Sequence, residues 1–266
     1  MNSENKKTTY ALVTGGTSGI GLAFVHQLAA KAYNIFIVSI ENEKLELVKN
    51  EIETKYGVKC ATLFLDLANE NAAKKVYDFS QENALNIELL INNAGFLIAE
   101  KFVNVAQQKI SAMINLHIFT STMLCHYFAK EMVKNQKGYI LNISSTSAFM
   151  PYPLISLYGP SKAYIRNFTR AIRNELYSEN INVSCIMPGA VDTNLYEVNT
   201  NQKKFALRFG IMHTPEFIAK RGLQILFRNQ AELVPGFLNK ASLIFIKFVP
   251  DFAIRKMLHF SSQTKK

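Results

Sequence analysis

Tyr10-Ala11-Leu12-Val13-Thr14-Gly15-Gly16-Thr17-Ser18-Gly19-Ile20-Gly21 is the stretch that decides the fold. Its first four residues favour a β-strand, and an apolar helical pattern begins near Gly19 and runs to about Ala32. The glycines between them permit a tight turn and a close backbone approach to a phosphate. The helix that follows aims unpaired N–H groups and a partial positive charge at the same point. A strand before the turn and a helix after it favour a phosphate cradle over a plain glycine turn.

Outward from this stretch the chain alternates. Asn34–Val38, Val58–Leu65, Ile87–Ile91, Tyr139–Ile143 and Ile181–Met187 read as further strands. Helical patterns cover Glu43–Lys55, Asn69–Asn83, a long run from Ala106 to Lys134, and Ser156–Ser178. In the first of these, Leu45, Val48 and Ile52 are spaced three and four apart. Apolar strands alternating with helices predict an α/β fold: one doubly wound parallel sheet with helices on both faces, in a single domain. In such sheets ligands bind beyond the carboxyl ends of the strands. Thr14-Gly15, Ser39, Asp66, Asn92-Asn93, Ser144-Ser145 and Pro188-Gly189 all fall at those ends.

Composition narrows the classes. The 266 residues carry a net charge of +10, but the basic residues are spread along the chain without an arginine-rich tract, so no nucleic-acid partner is expected. An anionic cofactor, an anionic substrate or a membrane surface accounts for the charge at least as well. Cys60, Cys125 and Cys185 are far apart and lack metal or disulfide spacing, and the five histidines are scattered. Buried thiols, no metal site and a cytoplasmic location are the expectation. No apolar run reaches the ~18 residues of a membrane span.

Tyr158 and Lys162 stand four apart, so on a helix both leave one face. An ammonium beside a phenol favours the phenolate, and such a tyrosine can pass a proton to or from a substrate oxygen. Ser144 and Ser145 end the preceding strand. Neighbours on a strand face opposite ways, so only one of them can point at a substrate.

These motifs occur in the order seen in the short-chain dehydrogenase/reductase family. Thr14-Gly15-x-x-x-Gly19-Ile20-Gly21, Asn92-Asn93-Ala94-Gly95, Ser145, Tyr158-x-x-x-Lys162 and Pro188-Gly189 resemble that family's pattern over about residues 8–195. The resemblance implies a Rossmann-like domain that transfers a hydride between a nicotinamide cofactor and a carbonyl or alcohol. By that analogy Tyr158 is the general acid/base, with Lys162 lowering its pKa and holding the nicotinamide ribose. Ser145 would polarise the substrate oxygen, and Asn115 would hold a proton-relaying water. The resemblance also places the cofactor against Gly15, Thr17, Ser18, Gly19, Ile20 and Gly21. Further along it adds Asp66 with Leu67 at the adenine, and Asn93, Ala94 and Gly95 at the adenine ribose. Pro188, Gly189, Val191 and Thr193 match the segment that holds the carboxamide. The nearest branch is that of the hydroxysteroid dehydrogenases and 3-ketoacyl reductases.

One departure bears on the cofactor. Members that use NAD place an acidic residue at the position of Ser39, and members that use NADP often place a base at Ile40 or Ser18; this chain has neither. The missing carboxylate favours NADP(H) over NAD(H), with Ser39, Asn42 or Lys44 as phosphate contacts, and Glu41 argues the other way. Phe96, Leu97, Phe149, Met150, Tyr152 and Leu154 are apolar neighbours of the expected carbonyl site. The family's substrate-closing segment, here 194–215, adds Leu195, Tyr196, Phe205, Leu207, Phe209, Ile211 and Met212. A lipophilic ketone or secondary alcohol follows as the expected substrate. Arg166, Arg170 and Arg173 form a helix stripe that reads as a solvated face or the border of a subunit contact, with an acidic carrier as the other reading. The resemblance further implies a homodimer or homotetramer joined through the two long helices. The tail at 237–266 is both apolar and basic, and either packs over the pocket or a neighbouring subunit or lies on a membrane surface. A relative that has lost catalysis and only binds cofactor would keep the glycine turn and lose the tyrosine or lysine; here Asn115, Ser145, Tyr158 and Lys162 are all present.

Overall fold

Six of the apolar runs form the strands β1 (Tyr10–Thr14), β2 (Asn34–Ser39), β3 (Cys60–Phe64), β4 (Ile87–Asn92), β5 (Gly138–Ile143) and β6 (Ile181–Ile186) of one parallel sheet. The structure is a computed structural model that describes residues 9–193 and 212–246, with 249–250, 252 and 254–255 beyond them. Two-residue strands follow: β7 (Ala190–Val191), β8 (Met212–His213) and β9 (Glu232–Leu233). The sheet order is β3-β2-β1-β4-β5-β6-β9, so the chain reverses direction across the β1–β4 pair. That reversal opens a crevice at the carboxyl ends of the strands.

Both faces of the sheet are covered, which is why its central strands are apolar without alternation; β2 and β4 are buried at every position. On one face Val13, Ile37, Ile91 and Leu141 pack with Phe24, Leu28 and Leu223. On the other, Leu12, Phe36, Leu90 and Ile140 pack with Val76, Phe128 and Met132. Each such side chain removed from water stabilises the fold by about 1.5–3 kcal/mol. The covering helices are α1 (Gly19–Ala29), α2 (Asn42–Tyr56), α3 (Ala72–Glu82), α4 (Gln107–Ile114), α5 (Ser121–Lys134), α6 (Tyr158–Glu175) and α7 (Pro215–Phe227), with α8 (Phe237–Ile246) after β9. Cys60, Cys125 and Cys185 are free and buried.

The long helix expected over 106–134 runs unbroken from Gln107 to Lys134, but not as a uniform α-helix. A π-helical turn, Asn115–Thr120, separates α4 from α5. Asn115 Nδ2 donates to the Ala68 carbonyl at 3.2 Å and Thr120 Oγ1 to the Leu67 carbonyl at 2.9 Å. Residues five apart diverge on an α-helix, and the wider turn brings both to one loop. The Ser121 hydroxyl donates to the Leu116 carbonyl at 3.1 Å, which supplies a partner within the irregular turn.

The arginine stripe also differs from its reading. Arg166 grips Glu232 through two bonds of 3.0 and 2.9 Å, and Arg173 reaches the Val183 carbonyl and both oxygens of Asn229. Two of the three arginines therefore tie α6 to the end of the sheet, and only Arg170 is mainly exposed.

Candidate active site

Gly15 and Gly19 adopt positive φ, +65° and +52°, which a side chain would strain. Gly21 is needed for a different reason: a Cβ there would lie 2.1 Å from the Gly15 carbonyl oxygen. The turn thus folds back on its own helix, and Gly21 shapes it without lining the cleft. Thr14 and Asn93 fasten it to β4. Thr14 Oγ1 accepts from the Asn93 and Ala94 amides at 2.9 and 3.0 Å, and Asn93 Nδ2 donates to the Thr14 and Gly15 carbonyls at 3.0 and 3.3 Å. Ser18 precedes α1 and makes no side-chain cap, so the first-turn N–H groups remain directed into the cleft.

A cleft of about 1090 Å³ runs along these strand ends. Gly15, Thr17, Ser18, Gly19 and Ile20 line its centre, and Ser39, Asp66 and Leu67 one end. Asn93, Ala94, Gly95, Tyr158, Lys162 and Thr193 line the other walls. The glycine cradle and its amides fit a dinucleotide pyrophosphate, and the volume suits the whole cofactor. Pro188, Gly189 and Val191 stand behind this wall: the Pro188 carbonyl accepts from Thr146, Val191 is buried, and Gly189 meets Asn239 of α8. Asp66 Oδ1 accepts from the Ala68 amide at 2.8 Å, a turn bond that coexists with its place in the cleft.

At the end of β2 the sequence reading missed a contact. Glu41 accepts from the Thr17 hydroxyl at 2.6 Å and from Lys44, and these two bonds, Lys44's first, hold its carboxyl below the ordinary value. Thr17 also lies 2.8 Å from the Ser39 hydroxyl. A residue two places beyond Ser39 therefore brings a carboxylate to the phosphate turn. An acidic residue at Ser39 itself was the expected signal, so spacing alone did not reveal it.

Ser144 is buried and its hydroxyl donates to the Lys162 carbonyl at 2.7 Å; its extended neighbour Ser145 is half-buried and stands outside the lining of the cleft. Ser145 Oγ accepts from the Ser147 amide at 3.1 Å, which leaves its hydroxyl hydrogen able to donate to a substrate. Tyr158 and Lys162 are both buried, with the lysine Nζ 5.6 Å from the phenol ring centroid. Nζ donates to the Ile143 carbonyl at 3.0 Å, and burial pushes its pKa down to about 8. Asn115 opens the π-turn with its amide on Ala68.

Ile98 and Met113 pack against Tyr158, with Phe96, Leu97 and Ile155 around them. Phe149 behaves otherwise: it joins the Cys185, Met187 and Val234 cluster under the Arg166 guanidinium, 4.5 Å from its ring centre. Met150 is buried, and Leu154 holds a left-handed φ of +69° while its carbonyl accepts from the Glu100 amide. Leu195, Tyr196, Phe205, Leu207, Phe209 and Ile211 lie outside the described residues, as does most of 247–266. The first part of the tail packs inward, with Leu243 against the Phe149 cluster. Among the described residues no helix is long and apolar enough to cross a membrane, and no group of three His, Cys, Asp or Glu could hold a metal.

A glycine cradle at the switch point of a doubly wound sheet, sharing its cleft with a tyrosine and a buried lysine, defines a dinucleotide-binding α/β protein of the oxidoreductase kind. The chain belongs to the short chain dehydrogenase family, whose sequence profile matches residues 9–204. It is 33% identical over 202 residues to hydroxysteroid dehydrogenase-like protein 1 of Gallus gallus, covering 74% of this chain and 60% of that one. It is 32% identical over 193 residues to the very-long-chain 3-oxoacyl-CoA reductase of Mus musculus, covering 71% of this chain and 61% of that one. The chain thus matches about three fifths of the length of these curated relatives. The solved structure from a study of 7β-hydroxysteroid dehydrogenase stereoselectivity superposes with a TM-score of 0.87 at 26% identity, covering 97% of this chain and 99% of that one.

Proposed function

We propose that the protein is an NADP(H)-preferring oxidoreductase that interconverts a lipophilic ketone and its secondary alcohol. The observation that carries this reading is the pairing of Tyr158 with the buried Lys162 in the wall of the cleft, with Ile98 and Met113 packed on the tyrosine. The bound nicotinamide supplies or accepts the hydride. Ser145 donates a hydrogen bond to the substrate oxygen and polarises it. Tyr158 gives that oxygen a proton in the reducing direction and takes it back in the other. The buried Lys162 cation favours the phenolate that remains, and the apolar wall excludes water.

Relatives named for 3-oxoacyl-CoA and hydroxysteroid chemistry support a substrate of fatty-acyl or steroid bulk. The preference for NADP(H) rests on the missing acid at Ser39 and on Lys44, whose ammonium neutralises Glu41 and can turn to a 2′-phosphate. Exposed Phe119 and Tyr164, on the π-turn and α6, support a homodimer or homotetramer joined through these helices. The cytoplasm is the proposed location, with membrane-surface contact by the tail as a second arm to test by vesicle co-sedimentation.

Side-by-side fluorescence titration with NADPH and NADH, then turnover on a chain-length series of ketones, tests the reading. NADPH binds more tightly and activity grows with apolar bulk. Tyr158→Phe lowers kcat by about 10²–10⁴-fold and leaves NADPH binding intact. Ketone reduction by Tyr158→Phe at the parent rate would sink the assignment.

A further inference from the structure

His117 is buried in the π-turn, and nothing in the proposed chemistry uses it. Its two ring nitrogens have different partners. The Phe96 amide lies 3.2 Å from Nε2, and an amide N–H can only donate, so Nε2 is the acceptor. In the neutral ring the proton then sits on Nδ1, 2.9 Å from the Ser161 hydroxyl. Ser161 Oγ passes its own hydrogen to the Tyr158 carbonyl at 2.7 Å. Every donor in this chain has one acceptor, and every bond runs the same way: Phe96 N–H to His117 to Ser161 to the first turn of α6.

The ring also fills space. Its centroid is 5.7 Å from those of both Phe96 and Tyr158, and a Cβ on Gly95 would come within 2.9 Å of Nε2. Lys162 and Tyr158 on α6 are the titratable groups set against it, while the loop presents the Gly95–Phe96 backbone. Burial first, and then the Lys162 charge, push its pKa down to about 2. A protonated ring would lose the Phe96 bond and place a second cation beside the lysine.

We propose that His117 is a positioning residue, a permanently neutral Nδ1–H imidazole that locks the loop after β4 to the start of α6 and so sets the Tyr158 hydroxyl relative to Lys162 and the apolar wall. The inference rests on the reductase reading for its kinetic consequence, but the tautomer and the linkage stand on the chain alone. Among the described residues a backbone amide and a serine hold this ring, which ties the tautomer to the loop's position.

Ring-nitrogen NMR of the cofactor-free protein tests the first half. His117 gives a protonated Nδ1 and an unprotonated Nε2, and does not titrate between about pH 5 and about pH 9. Titration near its ordinary value, or the opposite tautomer, overturns the proposal. Kinetics test the second half: His117→Phe keeps the ring's bulk without its polar ends and lowers kcat by about 100-fold, with cofactor Kd and substrate KM nearly unchanged. His117→Gln, which can both accept and donate, recovers most of that loss. Equal kcat in His117→Phe and the parent, or a loss shared equally by His117→Gln, overturns the positioning role. A protein that turns over no ketone contradicts the reductase reading, whereas the NMR result stands or falls independently.

Discussion

The phosphate half of the cleft and the proton-transfer half are built from opposite materials. Around β1 and α1 the recognition surface is backbone, exposed because Gly15, Gly19 and Gly21 carry no side chains, and beside it the buried Thr17 and Ser39 hydroxyls meet each other and the part-exposed Glu41 and Lys44. Around β5 and α6 the polar side chains are buried and directional. Ser144 holds the Lys162 carbonyl, Lys162 holds Ile143, and Asn92 bonds Asn142, which bonds Thr169. A pyrophosphate is a diffuse charge that several amides can hold together. A proton moves between two atoms, and small displacements there cost much more.

Three substitutions test that contrast. Gly21→Ala puts a methyl where the Gly15 carbonyl oxygen stands, 2.1 Å away, and either the turn opens or the helix shifts. Overpacking of this kind costs about 1–3 kcal/mol. NADPH titration should show binding weakened by at least about 100-fold, and binding near the parent value would break the claim that the turn is shaped by steric absence.

Lys162→Met exchanges a buried charge for an apolar chain of similar length. The folded lysine titrates at about 8 and the unfolded one near 10.5, so across that window the unfolded chain binds more protons and stability rises with pH. Below the window the buried cation weakens the fold throughout. Urea unfolding near pH 7 should find Lys162→Met more stable by about 1–3 kcal/mol and inactive, with its advantage shrinking as pH rises through the window. A variant less stable than the parent at neutral pH would show that the lysine supports the fold.

Glu41→Gln has the smallest expected effect. It removes the carboxylate from a half-exposed cluster and frees Lys44, so the NADPH-to-NADH affinity ratio should rise by about two- to fivefold. A falling ratio would mean that Glu41 helps to place Lys44 for the phosphate.

Much of this was legible in the sequence, and the reasons differ by element. Long strands carry their apolar pattern openly, so β2 and β4 were placed within a residue of their ends. The strand ends pointed to Gly15 and to the Ser144-Ser145 pair, because topology puts every such end on one edge, and helical spacing pointed to Tyr158 and Lys162. β7 and β8 escaped because two residues have no period to read. The π-turn escaped because it depends on Asn115 and Thr120 finding one loop, a tertiary fact. His117 looked like one scattered histidine, and only the fold supplies its neighbours. Arg166 and Arg173 were misread as a surface stripe, since helical periodicity shows which residues share a face but not what that face meets.

The last strand has a consequence for how the molecule stands beside its copies. A sheet edge offers unpaired amides and carbonyls on which another chain can add a strand, and such growth ends in aggregates. Among the described residues that edge strand is only Glu232–Leu233, with Pro235 and Gly236 just beyond it. Proline has no N–H to give, and Gly236 turns the chain away at φ +84°. The Arg166 clamp on Glu232 keeps even this short ladder from peeling outward. On this side the sheet stops growing because its final rung is too brief to copy.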